Sequence, residues 1–592
     1  MRKNLHYKVL ASVLAIAGLY FYNAPAAWAE IKNPEQGIWV GNGTIDGNTV
    51  IPDYATVYGG SDNYNYGGYN ANPSDNEITI KNSTLKAVTG GYAVADSDAT
   101  HNIVNIENSS ITSLVGGNSY AGTVSGNEVS ITGDSNSFQT VSGGSTGEGT
   151  ATGNKVTING NVTASGFIAG GVGEAGYSEV YGNQVIIQSG TVTGNIYGGY
   201  INSESPDSNE VSNNNIIITN TENKITDISG ANLYGGYARV NKNNNVTISN
   251  NTLTLNGWNG SVKSVQNFSD INFENIKWDN GSTVLTIKES PANALANTNL
   301  NYDNVILTGG AELTTGNSMT LIAGKNLGID VNNINSTGNF TAGVSIEGTG
   351  TAEVAADGNS IEYTLTKVKH LEQIDLVAEN RAVAAAFVNQ GTDLISDSLD
   401  TLSRDGSYGV KTFAAVHGNR SKYDVNSDLK INGWSTIVGV GNAAEFADGD
   451  EFSWGVFYEN GSGNYRTFNE FNNEFFRGDG NLVYNGGGIA ERYENANGVY
   501  TEGSLRAGML KSEMDNALRD GSGNYYGYDS ESAYYGAHIG VGKIISLSDS
   551  SDLDVYGKFF HTYTEGDSFT VAKDKFEFDS ITSDRLRVGA RV

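Results

Sequence analysis

No cysteine occurs among the 592 residues, and proline is rare, with only 6. Chance alone can leave a chain without cysteine. However, a chain that must stay unfolded while it crosses an oxidising compartment gains from having no thiols that form disulfides. The absence of cysteine therefore favours an exported protein.

Charged residues are also scarce, at 17%, yet the formal net charge is −30. This acidic balance argues against nucleic acid as a partner, and against attachment to anionic lipid by charge alone. After the N-terminus, no apolar run approaches the ~20 residues that a helix needs to cross a bilayer. Val, Ile and Leu nevertheless recur in regular patterns, which excludes a disordered chain.

Residues 1–29 are organised like a secretory signal peptide, which we prefer to a retained membrane anchor because the apolar run is short. The features are, in order, the positive residues Arg2, Lys3 and Lys8, the apolar run 9–22 and the small-x-small pattern Ala27-Trp28-Ala29. The chain that follows is long enough for three or more domains.

Two signatures repeat through residues 30–257, at intervals of about 26 to 37 residues. The first is a Gly-Gly pair, found at Gly59-Gly60, Gly90-Gly91, Gly116-Gly117, Gly143-Gly144, Gly170-Gly171, Gly198-Gly199 and Gly235-Gly236. The second is Asn-x-[Val/Ile]-x-Ile, which starts at Asn76, Asn102, Asn127, Asn154, Asn183, Asn214 and Asn244. Each repeat therefore offers two short strands with β-branched residues on one face.

One such repeat cannot bury its apolar face, but stacked repeats can. We therefore predict a right-handed parallel β-helix with Val and Ile inside, and prefer it to a β-propeller, whose repeats are longer. The Gly pairs would supply positive φ or close backbone approach at one corner, and the Asn residues would form ladders or turn-capping bonds at another. Tyrosines near the Gly pairs would stack along one exterior face.

The repeat fades over residues 258–370, which still alternate and are interpreted as the last coils and a junction. Residues 371–404 are different, because they are rich in Ala, Glu, Leu and Val and place apolar residues three and four apart. This spacing predicts the only helix. About 25 residues would span ~37 Å, the height of a membrane barrel. A short linker helix in a soluble protein is the alternative.

From residue 405 to 592 apolar and polar residues alternate in segments of roughly ten residues, which is the pattern of a membrane-spanning β-barrel. Three segments set Trp454, Val456 and Tyr458 against Ser453, Phe457 and Glu459; Leu505, Ala507 and Met509 against Ser504, Arg506 and Gly508; and Tyr535, Ile539 and Val541 against Gly536, His538 and Gly542. The second face is rich in Gly and Ser, which suits a lumen better than a soluble surface. A soluble all-β domain is the alternative.

Within this region, the stretches Tyr408-Gly409-Val410-Lys411-Thr412-Phe413, Asn432-Gly433-Trp434 and Asn485-Gly486-Gly487-Gly488-Ile489 resemble the β-domain of bacterial autotransporters, the type V secretion proteins. The resemblance implies an outer-membrane barrel whose lumen holds the predicted helix, and a passenger exposed on the cell surface or outside the cell. It implies outer-membrane lipid and the barrel-insertion machinery as partners. No cofactor or metal site is implied.

The family pattern is incomplete in this sequence. We count eight strand segments, near 408–417, 428–446, 450–460, 479–493, 498–511, 532–547, 552–564 and 576–592. Family barrels have twelve strands and end in an aromatic residue, whereas this sequence ends at Arg591-Val592. We therefore expect a barrel truncated at its C-terminus, whose longer form has about four more strands.

The motifs in this sequence that could indicate catalysis or metal binding are weak. Gly143-Gly144-Ser145-Thr146-Gly147 matches a nucleophile elbow, but it coincides with a repeating Gly pair. The histidines lack zinc spacing, and the acidic residues lack a calcium-loop pattern. Some family members cut the luminal helix at an Asn; Asn389 is the conceivable position here, its surroundings do not match, and cleavage stays open. Glu502 and Arg506 are expected to face the lumen and touch the helix.

We accordingly predict no catalytic, cofactor-binding or metal-ligating residues, and a passenger that acts in adhesion or aggregation through glycans on host or bacterial surfaces. A polysaccharide-acting enzyme is the alternative, because β-helices also carry lyases and hydrolases. Such an enzyme would need clustered Asp or Glu, or Arg or Lys with calcium, on adjacent coils.

Overall fold

The computed structural model describes residues 30–33, 38–47, 54–62, 73–175, 177–203, 209–220, 224–239, 246–302, 305–334, 337–403, 408–424, 428–471, 474–548 and 551–592. The predicted signal peptide, residues 1–29, lies outside the described residues. Within the described ranges the chain is β-structure with one α-helix, which confirms the all-β fold class. The chain divides into two compact units. The first comprises the chain up to Leu307, Leu313–Phe340 and Thr349–Lys367; the second comprises Thr308–Glu312, Thr341–Gly348 and Val368–Val592.

Short strands make up the first unit, and the last three of them also include residues of the second unit. They are β1 Glu30–Asn33, β2 Ile38–Val40, β3 Gly43–Ile45, β4 Thr56–Ser61, β5 Glu77–Lys81, β6 Thr84–Ala93, β7 Ala99–Thr100, β8 Ile103–Glu107, β9 Ser110–Ser119, β10 Thr123–Ser125, β11 Glu128–Thr146, β12 Thr150–Thr152, β13 Lys155–Gly173, β14 Glu179–Tyr181, β15 Gln184–Ile201, β16 Asn209–Ser212, β17 Asn215–Thr219, β18 Thr226–Asp227, β19 Ala231–Ala238, β20 Val246–Ser249, β21 Thr252–Asn256, β22 Gly260–Val262, β23 Ser264–Gln266, β24 Asp270–Glu274, β25 Thr283–Ile287, β26 Asn299–Asn301, β27 Val305–Leu307, β28 Ser318–Ala323, β29 Thr337–Ala342, β30 Ile346–Val354 and β31 Ser360–His370.

Three stacks of parallel strands wind these residues into a β-solenoid, as the repeats predict. One stack runs from β3 through β5, β8, β11, β13, β15, β17, β21 and β24 to β26, and a second from β2 through β4, β6, β9, β11, β13, β15 and β19 to β23. The third stack is β7, β10, β12, β14, β16 and β20. Val129 lies opposite Val156 and Ile131 opposite Ile158, all fully buried, so that like residues stack along the interior.

A ladder of asparagine side chains runs through the interior of the solenoid. The side-chain amide of each ladder Asn donates to Oδ1 of the next at 2.8 to 3.0 Å, from Asn76 through Asn102, Asn127, Asn154, Asn183 and Asn214 to Asn251. The same Oδ1 accepts the backbone N–H of the preceding ladder Asn. The predicted ladder is confirmed, except that its seventh member is Asn251; Asn244, which the motif predicted, lies outside the described residues.

The Gly pairs pack against this ladder, not at a separate corner as predicted. A Cβ on Gly171 would lie 2.6 Å from Cγ of Asn183, and one on Gly144 would lie 2.6 Å from Cγ of Asn154. None of the Gly pairs has positive φ among the described residues, so close approach is what excludes a side chain there. Positive φ occurs instead at the residue before each ladder Asn, at Asp75, His101, Gly126, Gly153, Gly182, Asn213 and Asn250. Gly, Asn, Asp and His are the residues that tolerate this conformation best.

The parallel order ends before the last strands of this region. β22, β25 and β28 still pair in parallel, whereas β28 pairs antiparallel with β31. These four strands belong to one seven-stranded sheet with β27, β29 and β30. The antiparallel pairing marks where the repetitive winding stops, within the segment interpreted as the junction.

The second unit contains the helix α1 and an antiparallel sheet. Its elements are α1 Ile374–Ser403, β32 Gly409–Asp424, β33 Asp428–Glu445, β34 Glu451–Phe471, β35 Glu474–Glu494, β36 Val499–Arg519, β37 Tyr525–Ser548, β38 Ser551–Thr564, β39 Asp567–Val571, β40 Asp574–Phe578 and β41 Ile581–Arg591. The sheet order is β32 to β38 followed by β41, and β39 and β40 form a separate hairpin.

The sheet has the eight strands that the alternation predicts, but several are longer than predicted, and β41 begins at Ile581 because residues 574–578 belong to the hairpin. The predicted bounds followed the outward apolar residues, and the extra length carries polar side chains on the outer face, whereas its lumen face still holds buried apolar residues such as Met514 and Leu518. In β36, for example, the outward residues after Met509 are Lys511, Glu513 and Asp515. β32 and β41 end the strand order and do not pair with each other in the described part of the chain.

The sheet curls around α1. Within a single helical turn, the residues from Val388 to Gly391 contact four different strands: Val388 meets Arg506 of β36, Asn389 meets Ser583 of β41, Gln390 meets Ser435 of β33, and Gly391 lies against Glu459 of β34. Groups in one turn of a helix point in all directions around its axis. Strands reached on all sides must therefore surround the helix, and we call the face that surrounds it the lumen face.

Candidate functional site: the helix and the two faces of the C-terminal sheet

The two faces of the C-terminal sheet have opposite chemistry, as predicted. On β36, Leu505 is 59% exposed on the outer face, whereas its neighbours Ser504 and Arg506 are buried on the lumen face. On β37, Ile539 is 65% exposed, whereas His538 is buried. This arrangement is the reverse of a water-soluble protein, in which the apolar face is the buried one.

The outer apolar residues are in register across the sheet. Strand pairing aligns Val440, Val456, Ile489, Leu505 and Ala537 in one row. Two residues further along the strands, Tyr458, Gly487, Ala507, Tyr535 and Tyr563 form another row, and its three tyrosines are exposed. Most of the exposed large apolar side chains in the described part of the chain lie in this sheet. They form one continuous patch, which we call the outer apolar band.

The outer apolar band has a defined height. On β36 it runs from Val499 to Met509, which is about 33 Å along a strand. For a strand tilted by roughly 45° this corresponds to about 23 Å, close to the ~25 Å apolar band of outer-membrane barrels. Beyond it the outer face is charged, as in the ion pair between Lys511 and Glu531, which are 2.8 Å apart.

On the lumen face, one buried group of charges is centred on Arg506. Its Nη1 lies 2.9 Å from Oε2 of Glu459, and its Nη2 donates to the backbone oxygen of Val388 at 3.0 Å. The Tyr534 hydroxyl donates to the other oxygen of Glu459 at 2.7 Å. Because a buried charge is costly unless it is paired, this cluster fixes its members and the helix carbonyl together.

A second buried group is centred on Glu502. Its Oε1 lies 2.6 Å from Nζ of Lys558 and accepts the hydroxyl of Ser396 of α1 at 2.9 Å. Lys558 also donates to Ser396 at 2.7 Å. The expectation that Glu502 and Arg506 face the lumen and touch the helix is therefore confirmed.

A third group joins the C-terminal half of α1 to β41. Asp393 lies 2.6 Å from Nη2 of Arg587 and 3.2 Å from Nη2 of Arg585. Arg585 also donates to the backbone oxygen of Asn389 at 3.1 Å. Two strands thus supply three arginines that hold helix oxygens: Arg506 comes from β36, and Arg585 and Arg587 come from β41. The helix is held by charge as well as by packing.

Sequence reasoning missed one constellation on the lumen face. Ser504 contacts Nδ1 of His538, and Nε2 of His538 lies 3.2 Å from Oε1 of Glu502. His538 meets Ser504, 34 positions away, and Glu502, 36 positions away, because β36 and β37 pair with Ser504 opposite His538. A serine, a histidine and a carboxylate are the groups of nucleophilic catalysis. Here the carboxylate is already bonded to Lys558 and Ser396, which makes the three residues part of the contact with α1.

Two other positions from the sequence analysis, Ser145 and Asn389, lie inside regular secondary structure. Ser145 of the Gly143–Gly147 motif is a buried residue inside β11, so the strand–turn–helix context of a nucleophile elbow is lacking at this position. Asn389 is buried in mid-helix, and its side-chain amide donates to the Ser583 hydroxyl at 3.0 Å. The helix runs without interruption through Asn389, from Ile374 to Ser403.

Tyrosines stack on the outside of the solenoid, as predicted. The ring centroids of Tyr197 and Tyr234 are 4.8 Å apart, those of Tyr197 and Tyr200 are 4.6 Å apart, and Tyr237 lies 5.9 Å from Tyr200. Phe167 packs edge-on against Tyr200. Burial within this group raises the pKa of Tyr197, Tyr200 and Tyr234 above its usual value, and for Tyr197 the neighbouring tyrosines add to the shift. We call these residues the tyrosine cluster.

Among the described residues, no cluster of three or more His, Asp or Glu is arranged to hold a metal ion. The described helix is not long and apolar enough to cross a membrane. Comparison with known protein families, curated proteins and solved structures gives no match.

Proposed function

We propose that this chain is an autotransporter: its second unit inserts into the bacterial outer membrane, and its first unit is the passenger that the cell displays on its surface. The observation that carries the proposal is the outer apolar band, since its residues are exposed on the side of the sheet away from α1. A contiguous exposed apolar surface of this size is rare on soluble monomers and is typical of proteins in contact with lipid.

The lumen face supports the same function. Lipid offers no hydrogen-bond partners, so the charged and hydroxyl groups of the strands belong inside, where α1 and paired charges satisfy them. Ion pairs such as Arg506–Glu459 and Lys558–Glu502 meet that need. The helix therefore acts as the segment that stays in the pore after the chain before it has passed through.

The direction of α1 supports outward display of the passenger. Gln373, just before the helix, exchanges hydrogen bonds of 2.8 and 3.0 Å with the backbone of Arg519, at the end of β36 that extends beyond the outer apolar band. Ser396, in the C-terminal half of the helix, meets Glu502, within the band. The chain before α1 thus emerges on the side where the strands extend furthest beyond the lipid.

Folding of the passenger supplies the driving force for export. Each coil that forms outside buries Val and Ile residues, each contributing about 1.5–3 kcal/mol, and extends the asparagine ladder by one member. A new coil can add only to the coil already formed, as in other solenoids. Backward movement would require the last coil to unfold, so folding gives direction without ATP.

For the passenger we propose adhesion or aggregation. The tyrosine cluster lies on the outside of a repetitive rod, where Tyr234 and Tyr237 are partly exposed over the buried Tyr197 and Tyr200, and repeated weak contacts add up to strong attachment. The alternative, a polysaccharide-acting enzyme, needs acidic or basic residues grouped on adjacent coils. In the described solenoid, Lys81–Glu107 and Lys155–Glu128 are separate exposed ion pairs of opposite charge, and no three acidic residues or histidines are grouped to hold a metal ion, which favours the first possibility.

The transport proposal is tested by treating intact cells that express the full chain with an external protease. We expect the solenoid to be digested or released while the C-terminal sheet stays protected in the membrane fraction. Permeabilised cells, in which a periplasmic marker is also digested, are the control. A solenoid that is protected in intact cells and digested only after permeabilisation would contradict surface display.

The passenger proposal is tested separately. Cells displaying the chain should settle faster than cells displaying a variant with Tyr197, Tyr200, Tyr234 and Tyr237 changed to Ser, provided that both are displayed equally. Turnover of an acidic polysaccharide by the displayed chain would favour the enzyme instead.

A further inference from the structure

Gly391 lies in the middle of α1, where glycine is a poor choice for helix formation. The residue is buried against the lumen face. A Cβ at this position would lie 2.7 Å from Nη1 of Arg506 and 2.9 Å from the Tyr484 hydroxyl, and it would overlap the carboxylate of Glu459. The helix therefore carries a gap at the place where strand side chains project furthest inward.

The side chains that fill this gap cannot easily move away. Arg506 and Glu459 form a buried ion pair, and Tyr534 donates to the same carboxylate. Arg506 is also bonded to the helix carbonyl of Val388, one turn before Gly391. Shifting either charge would leave the other buried without its partner, which is strongly unfavourable.

Phe387, one helical turn earlier, makes the opposite kind of contact. Its ring projects from the helix toward two glycines of the sheet, Gly433 and Gly463. A Cβ on Gly433 would lie 2.9 Å from the ring, and one on Gly463 would lie 3.3 Å from it. Here the helix supplies the bulk and the sheet supplies the gap.

These two contacts are compatible with only one axial position of the helix. If α1 moved by one turn in one direction, Phe387 would meet the Arg506–Glu459 pair. If it moved by one turn in the other direction, Ile395 would meet that pair. Either shift places a large apolar side chain in a space that admits no Cβ, and it also removes Phe387 from its two glycines.

We infer that Gly391 and Phe387 are positioning residues that fix the depth at which α1 stops in the sheet, so that export ends at one register of the chain. This inference rests on the proposed transport function, since it assigns the stop point of the same helix. The buried Arg506–Glu459 pair fits only against Gly391, and the glycines of β33 and β34 make room for the ring of Phe387.

Cysteine crosslinking tests this register, because the chain has no cysteine of its own. The side chains of Asn389 and Ser583 are in contact at 3.0 Å, so a short thiol-reactive bifunctional reagent should crosslink the N389C/S583C chain in the membrane. Adding Gly391→Leu should lower the crosslinked fraction at least about tenfold. Adding Ala382→Leu, at an exposed position of the same helix, is the matched control and should leave it unchanged. Full crosslinking with Gly391→Leu would overturn the inference.

A compensating change guards against a variant that simply misfolds. Gly391→Ala should reduce crosslinking, and Glu459→Asp, which keeps the charge but withdraws it by one methylene, should restore it in the double variant. Persistence of the loss in the double variant, with the sheet still resistant to heat in detergent, would show that the fit at Gly391 does not set the register.

The crosslink is measured within the second unit, so its outcome is independent of where the solenoid lies. A solenoid protected from external protease would contradict the transport proposal. Loss of the crosslink in Gly391→Leu would still assign the helix position to Gly391. A solenoid exposed to protease, together with an unchanged crosslink in Gly391→Leu, would overturn only the inference about register.

Discussion

The side-chain amide of Asn154 donates to Oδ1 of Asn183 at 3.0 Å, although the two residues are 29 positions apart. The same amide donates to the backbone oxygen of Val124 at 2.9 Å. In turn, Oδ1 of Asn154 accepts from both the backbone and the side chain of Asn127. One buried side chain thus joins three coils of the solenoid.

We predict that Asn154→Ala destabilises the neighbouring coils by about 3 kcal/mol, because it leaves two buried donors of Asn127 without an acceptor. Hydrogen exchange of the backbone amides in β11, β13 and β15 measures the effect. Asn105→Ala, on the outer face of β8, is the matched control and should change stability by less than about 0.5 kcal/mol. Equal effects of the two substitutions would contradict the role of the ladder.

Gly144→Ala should be more damaging than Gly153→Asn, although both replace a glycine of the same coil. A Cβ on Gly144 would overlap the Asn154 side chain, whereas one on Gly153 has no neighbour closer than 3.9 Å. The φ of Gly153 is +64°, which Asn also adopts readily. We expect a loss of at least about 2 kcal/mol for Gly144→Ala and less than about 1 kcal/mol for Gly153→Asn. Urea-dependent proteolysis of the displayed solenoid would measure both.

The tyrosine cluster predicts a loss of solenoid stability at alkaline pH. The pKa of Tyr197 is raised in the folded chain, whereas the unfolded value is about 10. The unfolded state therefore loses its proton first, and stability falls as the pH rises above about 10. Tyr197→Phe should make this fall smaller, while Tyr120→Phe, at an exposed tyrosine, should not. Thermal unfolding of the solenoid between pH 8 and pH 11 tests the prediction, and an unchanged slope in Tyr197→Phe would refute it.

Asp574, in the hairpin of β39 and β40, is expected to stabilise two segments that are distant in the sequence. The buried carboxylate of Asp574 accepts the backbone N–H of Gly310 and of Val344 and the hydroxyl of Ser345, each at 2.7 Å. Asp574→Ala should speed hydrogen exchange in residues 308–312 and 341–348 by about 30-fold or more, equivalent to ~2 kcal/mol. Asp579→Ala, at an exposed position after the same hairpin, is the control. Unchanged exchange in Asp574→Ala would show that these segments are held by other contacts.

Substitutions distinguish a structural role of the Ser504–His538–Glu502 group from a catalytic one. If these residues only hold α1, Ser504→Ala should leave the amount and length of displayed solenoid unchanged. Arg506→Ala should lower the amount, because it leaves Glu459 buried without its partner. Immunoblots of the surface fraction measure both. A solenoid that stays attached only in Ser504→Ala, and is released in the parent chain, would assign bond cleavage to the serine.

Much of this architecture is readable from the sequence because both units repeat a simple pattern. Alternation predicts the strands of the C-terminal sheet, and the Gly-Gly and Asn signatures predict the solenoid. The positive φ of the residue before each ladder Asn was not predicted, because Asp75, His101 and Gly126 share this backbone conformation but have different side chains. Strand ends were missed where the outer face becomes polar, as at Lys511 and Glu513 of β36, because the apolar/polar alternation is lost there.

The contacts that hold α1 could not be predicted individually. Arg506 and Glu459 are 47 positions apart, and their meeting depends on the register of three consecutive strands. Asp574 meets Gly310 across 264 positions. No local spacing encodes either contact. By contrast, the inward orientation of Arg506 follows from its position in the alternation, and this much was predicted.

The most direct test of membrane insertion is the solvent accessibility of a spin label on the outer face of β36. The full chain is reconstituted in a lipid bilayer with a nitroxide at Leu505→Cys or at Lys511→Cys. We predict that the label at 505 collides with oxygen, which dissolves in lipid, and is shielded from a water-soluble nickel chelate, and that the label at 511 shows the reverse. A label at 505 that is as accessible to the nickel chelate as the label at 511 would contradict the account.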